Sequence, residues 1–382
     1  MSFLRGVASA IRFMALPREQ RTLCFYSEGR NYWPHLQGLV EGALDNSDLH
    51  VCYVSSGADD PGLKLEHPRL HLFEIHEGCV RNWFFENLES DMLVMTMPDL
   101  NNFQIKRSPK CAEYVYVQHS LVSLHMAYRP GAFDHFDTIF CAGPHHVEEV
   151  RAIETQRSSK PKVVVEHGYP RLEALLTNAE SQAASPPADH ILIAPSWGPE
   201  GLVESGLAAQ FIPLLLAEGY QVTLRPHPQT NRFAGDKIKH IAAANQVSRF
   251  ELETSVDGFN SLAQSTIMIS DWSGAAFEYA LGFDKPVLFV DIPRKVNNPD
   301  YREIALQPIE EALRDNVGLT AAPDPQAIVQ AAGELLFQDA GNRSKASDIV
   351  FNIGHSDEAG VKWIVEQLAA RAARQARRGR IS

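Results

Sequence analysis

Polar side chains that could carry acid–base and anion chemistry stand at the ends of two strand-like runs. His119 ends an apolar run that begins at Tyr114, while Arg225 and His227 follow a second run at 221–224. Ligands bind beyond the carboxyl ends of the strands in open α/β sheets. A neutral imidazole at such an edge can accept a proton from a hydroxyl near pH 7, and a guanidinium beside an imidazole can bind an anion. Each group also has a structural alternative, as a hydrogen-bonded histidine and as a loop arginine with a loop histidine.

The segment 266–290 predicts an anion site at the start of a helix. Two short apolar runs, typical of buried parallel strands, enclose one helical segment that opens at Ser273 and Gly274. Small residues there let backbone N–H groups approach a ligand, and the helix dipole favours negative charge. Asp271 precedes that turn, and Glu278 lies one helical turn beyond it. The alternative is an ordinary strand–helix–strand crossover.

Common catalytic and cofactor motifs do not occur in the sequence. Ser196 follows the strand-like run 190–194 but is not in a GxSxG elbow, which argues against a serine hydrolase. Neither GxxxxGK[ST] nor GxGxxG is present, which argues against a Walker nucleotidase and a dinucleotide enzyme. No HExxH, DxD or Cys/His cluster calls for a metal, and no cofactor is predicted. The five cysteines lack a CxxC pair and are typical of small buried side chains in a reducing compartment.

The order of elements predicts an α/β fold with two doubly wound domains facing across a cleft. Strand-like runs alternate with helical patterns along 22–177, and a second series of the same kind occupies 191–356. Residues 178–190 are polar and rich in Ala, Ser and Pro, as in a linker. An amphipathic segment is expected at 1–21 and a helix with a basic tail at 357–382. The cleft between the two sheet edges is the expected ligand site.

Positive charge is concentrated at the two ends of an acidic chain. The net charge is −12, yet residues 1–21 carry four Arg and one Glu, and residues 371–382 carry five Arg and no acid. This distribution argues against nucleic acid as a partner, but it would let both ends contact an anionic membrane surface. Five apolar residues recur at helical spacing near the start: Phe3, Leu4, Val7, Ile11 and Met14. We expect an interfacial helix there, with a docked helix and a solvated tail as the alternative.

Several short stretches form a combination that occurs in one known family. They are His119-Ser120, Gly168-Tyr-Pro-Arg171, Ala194-Pro-Ser-Trp197, Arg225-Pro-His227-Pro228, and Ile269-Ser-Asp271-Trp-Ser273-Gly274 with Lys285-Pro286 beyond the helix. Together they resemble the CDP-glycerol glycerophosphotransferase family, the teichoic acid primases and polymerases of bacterial envelopes. The sequence departs from the family pattern twice: Ser120 replaces a glycine, and Gly274 replaces the second serine of its signature.

The resemblance implies a GT-B fold with an acceptor site in the first domain and a nucleotide donor in the second. A polyol-phosphate (glycerol- or ribitol-phosphate) would move from a CDP-alcohol to a hydroxyl of a glycan or lipid-linked acceptor, with release of CMP. His119 would be the general base on that hydroxyl. Arg225 and His227 would hold the donor diphosphate, with His227 also acting on the leaving group. Ser273 and the backbone of Gly274 would bind phosphate.

Three further residues are expected beside the donor, namely Ser196, Asp271 and Glu278. Glu278 would accept hydrogen bonds from ribose or glycerol hydroxyls, and Asp271 could instead orient a neighbouring histidine. The resemblance also implies a cytoplasmic protein held peripherally on the inner face of the cell membrane. Two alternatives stay open: a GT-B sugar transferase with a nucleotide-sugar donor, and a non-catalytic module that binds a nucleotide or a glycan.

Overall fold

Two parallel sheets with helices between their strands form the framework of the chain. The computed structural model describes residues 2–103, 105–181, 189–253, 259–337 and 344–379. The strands of the first sheet are β1 Leu23–Ser27, β2 Val51–Ser55, β3 Leu70–Glu74, β4 Met92–Met95, β5 Tyr114–Val117, β6 Thr138–Cys141 and β7 Val163–Glu166. Those of the second are β8 His190–Ile193, β9 Gln221–Leu224, β10 Phe250–Leu252, β11 Ile267–Ser270, β12 Val287–Val290 and β13 Gly318–Ala321.

The helices alternate with these strands and cover both faces of each sheet. In chain order they are α1 Ser2–Ala15, α2 Trp33–Asp45, α3 Cys79–Asn87, α4 Leu124–Ala127, α5 Pro144–Arg157, α6 Pro170–Ser181, α7 Leu207–Ala217, α8 Pro228–Phe233, α9 Gly235–Ala244, α10 Phe259–Gln264, α11 Gly274–Phe283, α12 Ile309–Ala312, α13 Arg314–Val317, α14 Pro325–Leu336, α15 Ala346–Ile349 and α16 Ser356–Gly379. Below, the first half means residues 2–181, and the second half means residues 189–337.

Both sheets have the same kind of strand order, and that order creates a ligand-binding edge in each. The first sheet runs β3-β2-β1-β4-β5-β6-β7, and the second runs β10-β9-β8-β11-β12-β13. All paired strands are parallel, and most are buried along their whole length, as strands covered by helices on both faces must be. The order reverses between β1 and β4 in one sheet and between β8 and β11 in the other, which are the points where such sheets bind ligands. The predicted α/β class with two doubly wound sheets is confirmed.

A shared apolar cluster joins the two halves. Leu172 and Leu175 of α6 pack with Phe277 and Leu281 of α11, away from solvent. The C-terminal helix α16 then returns to the first half and packs along α2. The chain therefore crosses between the halves more than once, and each crossing limits how the two sheet edges can move apart.

The linker predicted at residues 178–190 differs in part from the structure. Helix α6 continues to Ser181 and β8 begins at His190, so regular structure occupies both ends of the predicted linker. Residues 182–188 lie outside the described residues. The predicted linker begins within α6, where Asn178, Ala179 and Glu180 are polar or small without breaking a helix.

Helix α16 approaches α2 so closely that glycine is required at the contact. A methyl group added at Gly38 would overlap the carboxylate of Asp357. We expect Gly38→Ala to lower the free energy of unfolding by about 1–3 kcal/mol, because overpacking displaces the half-buried side chain of Asp357. Gly235→Ala, where an added methyl meets nothing within 4 Å, is the matched control and should unfold at or above the wild-type temperature. Equal thermal unfolding of Gly38→Ala and wild type would contradict this packing.

Candidate active site in the cleft between the sheets

The reversal point of the second sheet is held together by a buried carboxylate. The backbone N–H of Ser196, just beyond β8, donates to Oδ1 of Asp271 at 2.7 Å. Asp271 lies immediately after β11 and is 1% exposed, and burial raises the pKa of its carboxyl. Its partner is therefore a backbone amide and not the histidine that the sequence offered as one possibility. The bond ties the ends of the two strands that flank the reversal point.

The turn after Asp271 places the start of α11 at the same edge. Ser273 has extended backbone angles and caps the helix, with its Oγ accepting from the backbone N–H of Ala275 at 3.3 Å. Gly274 is the first helical residue and remains partly exposed. Backbone N–H groups of this first turn have no partner inside the helix, and the dipole makes the position favourable for an anion.

His227 is oriented by the prolines on either side of it. Its backbone angles, φ −60° and ψ 143°, are those favoured before proline, and its Nδ1 accepts from the backbone N–H of Gln229 at 3.1 Å. Because Nδ1 accepts, the proton of the neutral ring is on Nε2, which can donate to a ligand. Burial lowers the pKa of His227 to about 4, and the nearby charges of Lys295 and Arg225 act in the same direction.

Lys295 is a functional candidate that the sequence reasoning missed. It is half-buried, its ammonium nitrogen lies 4.5 Å from the centre of the Trp197 ring, and its charge reaches both His227 and Asp271. Burial lowers the pKa of this ammonium group. Lys295 lies in the loop beyond β12 and not directly at the strand end, so the edge-of-strand argument that selected Arg225 did not reach it.

A cavity of about 250 Å³ lies at this edge of the second sheet. Its walls include Ser196, Trp197, Trp272 and Lys295. The Trp197 ring also lies 6.2 Å from the ring of His227. An aromatic wall beside cationic and N–H donors is suited to a ligand that has both a ring and phosphate groups.

In the first half, His119 sits beyond β5 in a pocket of aromatic rings. Its Nδ1 lies 3.1 Å from the hydroxyl of Tyr116, and the rings of Tyr32, His35 and Tyr128 lie around it. Burial lowers the pKa of His119 to about 4, against the opposing effects of a hydrogen bond with the Thr96 carbonyl and the charge of Glu278. A carbonyl can only accept, so one ring nitrogen donates to Thr96 and the other holds the lone pair of a neutral imidazole.

Glu278 connects His119 to the second half. The hydroxyl of Tyr169 lies 2.7 Å from Oε1 of Glu278 and 3.1 Å from the carbonyl oxygen of His119. Nε of Arg171 donates to Oε2 of the same carboxylate at 2.9 Å. In this structure Glu278 thus joins the Gly168–Arg171 turn to α11, and its contact with a donor hydroxyl stays a prediction.

A second carboxyl that sequence reasoning did not select lies near His119. Glu28 follows β1 at the reversal point of the first sheet, and its charge is felt by Tyr32 and Tyr116. Burial raises the pKa of Glu28 to about 7, while the nearby Arg81 lowers it. Among the described residues no group of three or more His, Cys, Asp and Glu side chains could hold a metal ion.

The low pKa of His119 gives a direct measurement. Because burial disfavours the imidazolium, the ring should stay neutral from pH 8 down to about 5.5 and gain a proton only near pH 4. Histidine ring resonances recorded by NMR, with His119→Asn to assign the signal, report this titration. A midpoint near the ordinary value of about 6.5 would show that His119 is solvated rather than enclosed.

Comparison with solved structures places this architecture among GT-B folds. The wall teichoic acid polymerase TagF superposes with a TM-score of 0.62 at 13% identity, covering 96% of this chain and 95% of that chain. A UDP-GlcNAc 2-epimerase from Methanocaldococcus jannaschii gives 0.57 at 11% identity, covering 90% and 99%. A UDP-GlcNAc 2-epimerase from Neisseria meningitidis gives 0.59 at 13% identity, covering 90% and 99%. At these identities the likeness establishes the fold alone, and it confirms the predicted GT-B type.

A family-level match covers more than half of the chain. Residues 74–296 match the family described as CDP-Glycerol:Poly(glycerophosphate) glycerophosphotransferase, and this range contains His119, Arg225, His227 and Ser273. No curated protein matches the sequence significantly. The predicted resemblance is confirmed, and the chain is a phosphotransferase that belongs to the CDP-glycerol:poly(glycerophosphate) glycerophosphotransferase family.

Proposed function

We propose that this enzyme transfers a polyol-phosphate from a CDP-alcohol to a hydroxyl of a glycan or lipid-linked acceptor and releases CMP. The observation that supports it most is the pairing of two unlike environments across one cleft. A neutral, half-buried imidazole lies at the edge of the first sheet, and cationic and N–H donor groups lie at the edge of the second. We propose residues 22–177 as the acceptor domain and 191–356 as the donor domain, with 178–190 between them.

The proposed step forms one P–O bond and breaks another. The acceptor oxygen bonds to the phosphorus that carries the polyol, and the bond from that phosphorus to the bridging oxygen of CMP breaks. The lone pair of His119 takes the proton of the acceptor hydroxyl, which the neutral state of the ring permits. The electron pair of the broken bond leaves with CMP, so negative charge develops on the leaving phosphate.

The second half offers the groups that would stabilise this charge. Nε2–H of His227, the guanidinium of Arg225 and the ammonium of Lys295 are close enough to influence one another's charge. Ser273 and the backbone of Gly274 would receive the other phosphate at the start of α11. Ser196 and Asp271 would shape the wall of the nucleotide cavity, as the bond between them indicates. Donors fixed in advance towards developing charge lower a barrier because they need no reorganisation.

The two roles can be separated by substitution. We expect His119→Ala to lose about 10²–10⁴ in kcat while CDP-glycerol binding, measured by calorimetry, persists. We expect His227→Ala to lose turnover, because removing one donor to developing charge costs about 3–4 kcal/mol of transition-state stabilisation. We also expect weaker donor binding, because a hydrogen bond to a charged phosphate is lost. Lys239→Ala, which removes one partner of an exposed ion pair on α9, is the matched control. Turnover near wild type in His119→Ala, or binding of UDP-sugars in preference to CDP-alcohols, would contradict the proposal.

We further propose that the enzyme works peripherally on the inner, cytoplasmic face of the cell membrane. Helix α1 buries Phe13 against Phe73 and Phe84 but leaves Leu4 72% and Ile11 57% exposed. The predicted apolar stripe is therefore divided: Val7 and Met14 pack on the protein core, and Phe3 is exposed with Leu4 and Ile11. Among the described helices none is long and apolar enough to cross a membrane.

The two basic ends meet on one face of the protein. Arg18, just after α1, pairs with Asp91 at 3.0 Å, and Gln375 near the end of α16 lies 3.5 Å from the same carboxylate. Arg371 is bound to Glu113 at 2.9 Å, so it is not available in the way the sequence suggested, whereas Arg374 is exposed. Exposed apolar side chains on α1 and exposed basic side chains near the end of α16 support binding to an anionic surface.

Liposome flotation of wild type and of surface variants tests whether this surface binds a membrane. Each basic residue contributes at most about 1 kcal/mol, so the apolar side chains must add to the binding. We expect wild type to float with anionic liposomes at low salt and the Leu4→Ser/Ile11→Ser variant to float much less. Phe337→Ser removes an equally exposed hydrophobic residue elsewhere on the protein and should behave as wild type. Absence of flotation by wild type, or equal flotation by all three proteins, would exclude this surface.

A further inference from the structure

The two positions at which the sequence departs from its family pattern touch each other across the cleft. A Cβ atom built on Gly274 would lie 2.6 Å from Oγ of Ser120 and 3.3 Å from Cγ1 of Val122. Ser120 belongs to the loop that follows β5 in the first half, and Gly274 begins α11 in the second half. Two positions that are 154 apart in the chain are thus in steric contact in the folded protein.

The contact has room for a hydroxyl side chain at position 120 or at position 274, but not at both. Any side chain at position 274 would have to displace the Ser120 hydroxyl, since real Cβ atoms do not approach an oxygen to 2.6 Å. A glycine at position 120 would instead leave room for a serine at position 274. In this chain the hydroxyl is on Ser120, in the loop that carries His119. A glycine at position 120 with a serine at position 274 would place the same number of hydroxyls at the contact.

The Ser120 hydroxyl is held with its hydrogen available. Its Oγ accepts from the backbone N–H of Val122 at 3.4 Å, which fixes the oxygen beside the start of α11. A hydroxyl that accepts one bond can still donate its hydrogen to an acceptor such as a phosphate oxygen. The residue is half-buried and lies beside the start of α11.

We propose that Ser120 binds the donor phosphate from the acceptor side of the cleft, in the place that a serine at position 274 would otherwise fill. This inference rests on the proposed function, because it assigns a residue to the same CDP-alcohol site. The donor phosphate then bridges the two halves through Ser120 and the N–H groups of α11. Since Ser120 adjoins His119 in the chain, a bound donor also holds the loop that carries the base.

A double-mutant cycle on the full chain tests the exchange. The variants are Ser120→Gly, Gly274→Ser and the double variant, with CDP-glycerol and CDP-ribitol binding measured by calorimetry and with kcat and KM determined. We expect Ser120→Gly to weaken donor binding by about tenfold or more, the effect of losing a hydrogen bond to a charged group. We expect Gly274→Ser to weaken it similarly by displacing the Ser120 hydroxyl. The double variant should return to within about threefold of wild type, because energies of contacting residues are not additive.

Two further variants separate the hydroxyl from the packing. Ser120→Ala keeps the Cβ atom and removes only the hydroxyl, so it should match Ser120→Gly in donor binding and keep the wild-type unfolding temperature. Gly274→Ala should weaken binding in the wild-type background and have little effect in the Ser120→Gly background.

The outcomes distinguish this inference from the function on which it rests. Wild-type binding of a CDP-alcohol together with unchanged binding in Ser120→Ala overturns the role of Ser120 and leaves the proposed function intact. A double variant as weak as the product of the two single effects overturns the exchange of hydroxyls. Failure of wild type to bind either CDP-alcohol rejects the proposed function and this inference with it.

Discussion

One buried carboxylate fixes how the two halves of this enzyme meet. Glu278, 8% exposed on α11, receives the Tyr169 hydroxyl and the Arg171 guanidinium from the other half. Burying an unpaired carboxylate is costly, so the carboxylate and its partners must stay together once the cleft forms. The same Tyr169 hydroxyl reaches the backbone of His119. The position of His119 relative to the start of α11 therefore depends on this one group of contacts.

Apolar packing surrounds this carboxylate, and further polar contacts join the two halves elsewhere. The apolar sides of α6 and α11 surround the polar contact. Farther along the interface, the backbone N–H of Ser123 donates to Glu310 at 3.0 Å, and the side chain of Asn298 donates to the carbonyl of His125 at 2.8 Å. These contacts and those of Glu278 lie at separate points of the interface. Together they oppose both sliding and opening of the two halves. The two halves therefore hold a neutral imidazole on one side of the cleft and cationic groups on the other.

The fold and the positions of most site residues could be predicted from the sequence, because strand ends are visible in it. Arg225 and His227 follow an apolar run directly, and the prolines on either side of His227 indicate its backbone conformation. Lys295 was missed because a loop separates it from β12 and its neighbours come from other strands. The partners of Glu278 lie more than 100 positions away. The low pKa of His119 arises from burial that only the folded chain creates.

The central claim is that phosphate and polyol move together from a CDP-alcohol. A double-label experiment measures this directly, using CDP-glycerol with ³²P in the phosphate next to glycerol and ¹⁴C in the glycerol, and lipid-linked glycans as acceptors. We expect both labels to enter the acceptor in the ratio of the donor while unlabelled CMP is released. Transfer of ¹⁴C without ³²P, or release of CDP in place of CMP, would contradict it.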